Sequence, residues 1–303
     1  MPTSVGGKGI VNVSGSTRDG RDDRGSGDGW GNKDGRDGRG GRDGGEGNRR
    51  VRPSRRGVLR GAVSGAVAAG AATVAGVGAG PARAATRRGR PEVAVLLYDG
   101  FTALDAVGPY EVLCRVPGVR VTMVAREAGP VRTDTGELSL VAERAMRDVH
   151  GADVLVVPGG GDRGVTAMMG DATAHEWIRR VHRRSVWTTS VCTGSLILGA
   201  AGLLRGLPAT TYWAARPYLE KVGATYKPGR FVEAGKIITA AGVSAGIDMG
   251  LHLTARLSGT AVAEAMQLAV EYDPDPPYDT GSPEKADAET EALALKLIAD
   301  AAV

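Results

Sequence analysis

Cys192 stands where a β-branched run, Val186-Trp187-Thr188-Thr189-Ser190-Val191, gives way to Thr193-Gly194-Ser195-Leu196 and an Ala/Leu/Gly stretch. A strand that breaks sharply into a helix exposes its turn residue at the helix mouth, the layout of a nucleophile elbow with Cys in place of Ser. Free backbone N–H groups and the helix dipole favour a thiolate there. The pattern therefore predicts a cysteine nucleophile, the alternative being a buried inert thiol. Thr193 places a hydroxyl beside it, either to orient water or substrate or simply to cap the helix.

Asp105, in Leu104-Asp105-Ala106-Val107-Gly108-Pro109, begins another helical stretch. An acid in a first turn suits the dipole by itself. Set over the Cys192 sulfur, its carboxyl would rise in pKa through desolvation and like-charge repulsion and could donate a proton or hold a water. Gly159, Gly160 and Gly161 follow an apolar strand. Glycines there let backbone approach a ligand closely, and their N–H groups, with that of Thr193, are expected to stabilise developing negative charge. The same run also fits a tight turn. It lacks the Lys of a phosphate loop and the spacing of a dinucleotide loop.

The four histidines, His150, His175, His182 and His252, have neither metal-site spacing nor a place beside Cys192. His175 and His182 are expected on a solvated basic helix face, and His252 in packing or a dimer contact. No metal and no organic cofactor are expected. Cys114, on a helix, reads as structural, and no disulfide to Cys192 is expected.

The elements that must position these groups alternate. Residues 93–98 read as a buried parallel strand, 119–125 as a second strand, 153–157 as a third core strand and 185–191 as the strand feeding the elbow. Residues 104–116, 175–184, 195–204, 213–222, 246–257, 260–270 and 290–302 read as helices. Residues 130–142, around Asp134-Thr135-Gly136, and residues 231–239, around Gly235, read as hairpins. Strand–helix alternation predicts an α/β doubly wound, mostly parallel sheet, whose ligands bind at the carboxyl ends of the strands. The 99–105 loop, the 158–161 loop and the Cys192 elbow all fall at such ends.

Residues 1–53 have a different character: Gly, Arg and Asp in short repeats such as Asp34-Gly35-Arg36-Asp37-Gly38-Arg39. They cannot bury enough apolar surface to offset ordering and read as disordered. About a third of the 47 glycines and many of the Arg and Asp residues lie here, so the net charge of +4 says little about the domain. Arginines interleaved with Asp, with no basic block and no aromatic interleaving, argue against nucleic acid as a partner. Residues 54–84 combine Ser54-Arg55-Arg56-Gly57, a mild Ala/Gly/Val run and Pro81-Ala82-Arg83-Ala84. They resemble a twin-arginine signal cleaved after Ala84, which makes the export machinery a transient partner and the product extracellular or envelope-bound. An uncleaved membrane anchor is the alternative. The long leader ahead of the arginines suggests that translation starts at Val51.

Several motifs recur in order in the DJ-1/PfpI family. They are Leu104-Asp105-Ala106-Val107-Gly108-Pro109, Val157-Pro158-Gly159-Gly160, Ser190-Val191-Cys192-Thr193-Gly194-Ser195, Ala209-Thr210-Thr211-Tyr212-Trp213 and Pro276-Pro277-Tyr278-Asp279-Thr280-Gly281-Ser282-Pro283. The domain at 91–303 thus resembles that family from about Pro91 to Pro283, and its isonitrile-hydrating members most. The resemblance implies a flavodoxin-like fold of the class I glutamine amidotransferase type, a homodimer and no metal. It implies Cys192, Asp105 and Thr193 as catalytic residues and a small-molecule substrate, an isonitrile hydrated to an N-substituted formamide. The family commonly has His where this chain has Tyr212, which makes Tyr212 a candidate substrate-binding residue. A glyoxalase, deglycase or stress-protective protein would use the same cysteine. A ligand-sensing domain like that of AraC-type regulators would not need catalysis. The latter carry a helix-turn-helix domain, whereas this chain ends shortly after its Pro-rich segment.

Overall fold

A computed structural model describes residues 90–302. The tail at 1–53, the arginine-pair segment at 54–84 and the proposed start at Val51 lie outside the described residues. The elements run, in chain order, β1 (Glu92–Leu96), α1 (Ala103–Leu113), β2 (Arg120–Ala125), β3 (Gly129–Arg132), β4 (Ser139–Ala142), β5 (Arg144–Ala145) and β6 (Val154–Val157). Then come α2 (Asp162–Gly170), α3 (Ala172–Arg184), β7 (Trp187–Ser190), α4 (Gly194–Ala200), β8 (Pro208–Ala209), α5 (Arg216–Lys221) and β9 (Thr225–Tyr226). The chain closes with β10 (Phe231–Ala234), β11 (Ile237–Ala240), α6 (Ala245–Ser258), α7 (Thr260–Ala269) and α8 (Ala288–Ala301).

Seven strands form one sheet in the order β10-β11-β7-β6-β1-β2-β5. Every pairing in it is parallel except β10 with β11. The central strands are apolar because both faces are covered: Val154, Leu155, Val156 and Val157 are all buried, as are Val93 to Leu96. Each such side chain contributes roughly 1.5–3 kcal/mol of burial. One helical group is α1, α6 and α7, the other α2, α3, α4 and α5. The first group packs through glycines: a Cβ on Gly250 would lie 3.3 Å from Val112 and one on Gly108 3.3 Å from Ile247.

The expected doubly wound, mostly parallel sheet is what the structure shows. The chain leaves β1 toward β2 on one side and returns to β6 on the other. The crevice where connections diverge therefore lies at the carboxyl ends of β1 and β6, with β7 next to them.

Three local differences have physical causes. Helix α2 has no counterpart among the helices expected from sequence, its Gly164 and Gly170 being weak helix formers. It forms because Gly164 allows close approach, its would-be Cβ lying 2.6 Å from the Asp99 carbonyl oxygen. The 213–222 helix splits into a short 3-10 turn at Trp213–Ala215 and α5, with Pro217 inside the first turn of α5, where its missing N–H costs nothing. His175 and His182 are half-buried and hydrogen-bonded rather than fully solvated. His182 Nδ1 meets Thr188 Oγ1 at 2.9 Å and His175 Nε2 meets the Met168 carbonyl at 2.9 Å. Burial, aided by Lys236 and Arg183, pushes His182 below the usual imidazole pKa. His252 packs on Phe231, ring centroids 4.6 Å apart, and pairs with Glu233 at 2.7 Å. Both cysteines are free.

Candidate active site

The turn between β7 and α4 forces Cys192 to φ +57°, a left-handed conformation that only a well-braced non-glycine residue keeps. The bracing is visible. The Cys192 N–H donates to the Ala241 carbonyl at 2.7 Å. Its own carbonyl accepts from Ser195 Oγ at 3.2 Å and Thr211 Oγ1 at 3.1 Å. Gly194 is required next, because a Cβ there would sit 2.2 Å from the Val157 carbonyl oxygen. The elbow predicted from sequence is therefore present, and Cys192 is only 6% exposed.

Asp105 comes from the first turn of α1 and is fully buried. Its Oδ2 accepts the Gly159 N–H at 2.9 Å, while Oδ1 has no hydrogen-bond partner among the described residues. Carboxyl and sulfur are apposed closely enough for each to govern the other's proton, yet no aligned hydrogen bond joins Oδ1 to Sγ. Burial is the largest influence on Asp105 and lifts it to about 7. The Gly159 amide opposes, and Asp134 adds to the rise.

Cys192 corrects one expectation. Burial, then the Asp105 charge, pushes the thiol well above its ordinary range, although the Thr193 amide and hydroxyl pull the other way. The donors at the helix mouth do not overcome desolvation, because α4 is short and almost no water reaches the sulfur. Thiol and carboxyl therefore titrate as a pair. The first proton leaves near 7, and the second is held far into alkali. Through that window one proton is shared. Since Oδ2 is occupied by an N–H, the carboxyl proton belongs on Oδ1, in position to be given up.

The glycine loop also departs from expectation. The Gly159 N–H serves Asp105 Oδ2, the Gly160 N–H serves Thr193 Oγ1 at 3.0 Å, and the Gly161 N–H serves the Gly100 carbonyl at 3.0 Å. None of the three is free to meet an oxyanion. Their task is to position the acid and the hydroxyl. The Thr193 hydroxyl donates back to the Gly160 carbonyl at 3.2 Å. A Cβ on Gly159 would lie 2.5 Å from Thr193 Oγ1 and 2.8 Å from Asp105 Oδ2. A Cβ on Gly160 would lie 2.2 Å from the Gly100 carbonyl oxygen.

Tyr212 is half-buried near the sulfur. Burial and the neighbouring Cys192 raise its phenol pKa. Its ring leans toward Trp213, centroids 5.5 Å apart. The structure thus gathers Cys192, Asp105, Thr193, Gly159, Gly160 and Tyr212 in one place, with Gly161 one residue further out. It adds Tyr98, whose buried hydroxyl donates to the Pro158 carbonyl at 3.1 Å, and Thr211, Thr102 and Asp134. Thr211 belongs to the Ala209–Trp213 motif and Asp134 to the Asp134-Thr135-Gly136 turn. Only the sheet's winding shows what they touch.

Fold and site together define a flavodoxin-like α/β protein with a buried cysteine–carboxyl pair at the switch point of its sheet. Residues 91–256 match the DJ-1/PfpI family, and the chain belongs to it. It is 42% identical over 195 residues to the isonitrile hydratase of Pseudomonas putida, an alignment covering 64% of this chain and 84% of that one. The crystal structure of a THiJ/PfpI family protein from Pseudomonas syringae superposes with a TM-score of 0.66 at 38% identity, covering 76% of this chain and 95% of that one. The HTH-type transcriptional regulator CdhR of Pseudomonas aeruginosa is 30% identical over 177 residues, 55% of this chain and 51% of the regulator.

Proposed function

We propose that this protein hydrates an isonitrile to an N-substituted formamide. The observation that carries the reading is a fully buried carboxyl apposed to an elbow cysteine, with Oδ1 unpartnered among the described residues and its pKa raised by that burial. Similarity to the P. putida isonitrile hydratase supports it. An isonitrile suits such a site. It is small and uncharged, its terminal carbon accepts a nucleophile, and the same carbon then needs one proton.

In the proposed reaction the pair's one remaining proton, which rests on the thiol, passes to Asp105 Oδ1 as the isonitrile arrives and leaves the negative charge on Cys192. The sulfur forms a C–S bond to the terminal carbon of R–N≡C. Asp105 Oδ1 delivers its proton to that carbon, leaving the thioimidate R–N=CH–S–Cys192. Water then adds to the C=N bond, its proton passing to nitrogen. The C–S bond breaks to release R–NH–CHO, and the second water proton restores the pair. The covalent path divides one difficult addition into two easier ones. Thr193 Oγ1, fixed by Gly160, is the hydroxyl next to the incoming water, and Tyr212 bounds the space for the R group. The reading includes a homodimer and, through residues 54–84, export in the folded state.

The test is incubation with cyclohexyl isocyanide and quantification of N-cyclohexylformamide, with Cys192→Ala and Asp105→Asn alongside. Turnover that disappears in Cys192→Ala and falls about 100-fold or more in Asp105→Asn is expected of an acid catalyst. No formamide from a folded wild type whose Cys192 still reacts with iodoacetamide would reject the hydratase reading. It would point to a carbonyl substrate instead.

A further inference from the structure

Thr102 precedes the first turn of α1, and a threonine there ordinarily turns its hydroxyl onto a helix N–H. This one does not cap the helix. Its Oγ1 donates instead to Asp134 Oδ2 at 2.5 Å. Asp134 sits at the tip of the β3–β4 hairpin, outside the main sheet. The hairpin is stitched to the 99–102 loop by three further hydrogen bonds. They run from the Gly100 N–H to the Arg132 carbonyl at 2.9 Å, from the Asp134 N–H to the Phe101 carbonyl at 3.0 Å, and from the Arg132 N–H to Asp99 Oδ1 at 3.4 Å. On its other side the loop is tied to the glycine run, with the Thr102 N–H donating to the Gly159 carbonyl at 3.0 Å. The loop is thus clamped between hairpin and glycines. Asp105 rides on the turn that follows, its N–H on the Thr102 carbonyl at 3.1 Å.

We propose that Asp134 is a positioning residue for the active-site pair: by accepting the Thr102 hydroxyl it anchors the first turn of α1, and its carboxylate faces Asp105 from the hairpin side. The inference rests on Cys192 and Asp105 being the reacting pair, not on which substrate they attack. The groups facing Asp105 are Cys192 from the elbow, Asp134 from the hairpin, Tyr98 from the end of β1 and the Gly159 amide from the glycine loop. Asp134 reinforces the effect of burial on Asp105. Anchoring and charge can be separated. An asparagine at 134 still accepts the Thr102 hydroxyl but carries no charge. A valine at 102 leaves the charge and removes the anchor.

The experiment follows the rate at which iodoacetamide alkylates Cys192 in the full protein against pH, read on the Cys192 peptide so that Cys114 does not interfere, with formamide production in parallel. The wild type is expected to gain reactivity through an inflection near 7, as the pair loses its first proton. Asp134→Asn should move that inflection to lower pH by roughly half a unit, less than the one to three units of a charge in direct contact. Thr102→Val should lower the plateau rate and kcat about tenfold by loosening Asp105, with Thr102→Ser restoring both. An Asp134→Asn inflection coincident with the wild type overturns the proposal. So does a folded Thr102→Val protein with the wild-type plateau, which decides the matter if Asp134→Asn does not fold. If the wild type makes no formamide while the Asp134→Asn inflection still moves, the hydratase reading falls and the role of Asp134 stands.

Discussion

Replacing Gly159 with alanine is the sharpest perturbation of this site, because it adds one methyl group and removes nothing. That methyl would meet Thr193 Oγ1 at 2.5 Å, Thr193 N at 2.6 Å and Asp105 Oδ2 at 2.8 Å. Ordinary contact begins near 3.4 Å, so the three atoms must retreat by about 0.9, 0.8 and 0.6 Å. None retreats freely. Thr193 N belongs to the elbow, Thr193 Oγ1 is held by both the N–H and the carbonyl of Gly160, and Asp105 Oδ2 is held by the Gly159 N–H itself. Displacement of reacting groups by close to 1 Å costs about 100-fold in rate, near 2.7 kcal/mol. Overpacking adds about 1–3 kcal/mol of lost stability. Gly161→Ala is the graded comparison: its methyl would meet only Asp134 Cβ at 3.3 Å and Ala302 Cβ at 3.9 Å, so it should cost far less. The assay is kcat/KM for formamide production together with the Cys192 alkylation rate, after thermal unfolding has shown each variant folded. A folded Gly159→Ala protein within threefold of wild type in both would refute the geometry on which the site is built.

Asp105 also links stability to pH. Its carboxyl is raised from 3.8 to about 7 in the folded state, so the fold binds more protons than the unfolded chain between those values. The stabilisation it brings is complete below about 4 and is lost as pH rises through 7, a change on the order of 4 kcal/mol. Urea unfolding of Asp105→Asn at several pH values should lack that slope; an unchanged slope would mean the acid is not buried as described. Cys192→Gly should be about 1 kcal/mol more stable than Cys192→Ala, since both lose the sulfur but only glycine relaxes φ +57°. Equal melting temperatures would show that the elbow is not strained. Thr211→Val removes a buried donor to the Cys192 carbonyl and should cost roughly 1–2 kcal/mol and loosen the elbow. Stability matching wild type would place the bracing elsewhere.

Much of this was legible along the chain. The strands at 93–98 and 153–157 announce themselves because both sheet faces are covered and the residues are apolar almost without alternation, whereas 119–125 carries Arg120 and Thr122 because it lies next to the sheet's edge and is only partly covered. The hairpins at 130–142 and 231–239 show through period-two patterning around Asp-Thr-Gly and Gly235. The elbow could be read because a left-handed turn between β-branched strand and small-residue helix leaves a local trace. Asp105 was found for a related reason, an acid in an otherwise apolar first turn. Each is a feature that nearby residues determine among themselves.

What the winding of the sheet decided is of another kind. Residues 105, 159 and 192 meet only because β1, β6 and β7 lie side by side. Once they meet, their shared desolvation reverses the pKa expected for Cys192 at a helix mouth. The glycine amides, taken singly, suit an oxyanion. In the folded chain they are claimed by Asp105, Thr193 and Gly100. Thr102 abandons its own helix for Asp134, thirty-two residues away. Local sequence fixes backbone shape through sterics and patterning, whereas proton affinity and hydrogen-bond assignment depend on which distant groups share the same dry space.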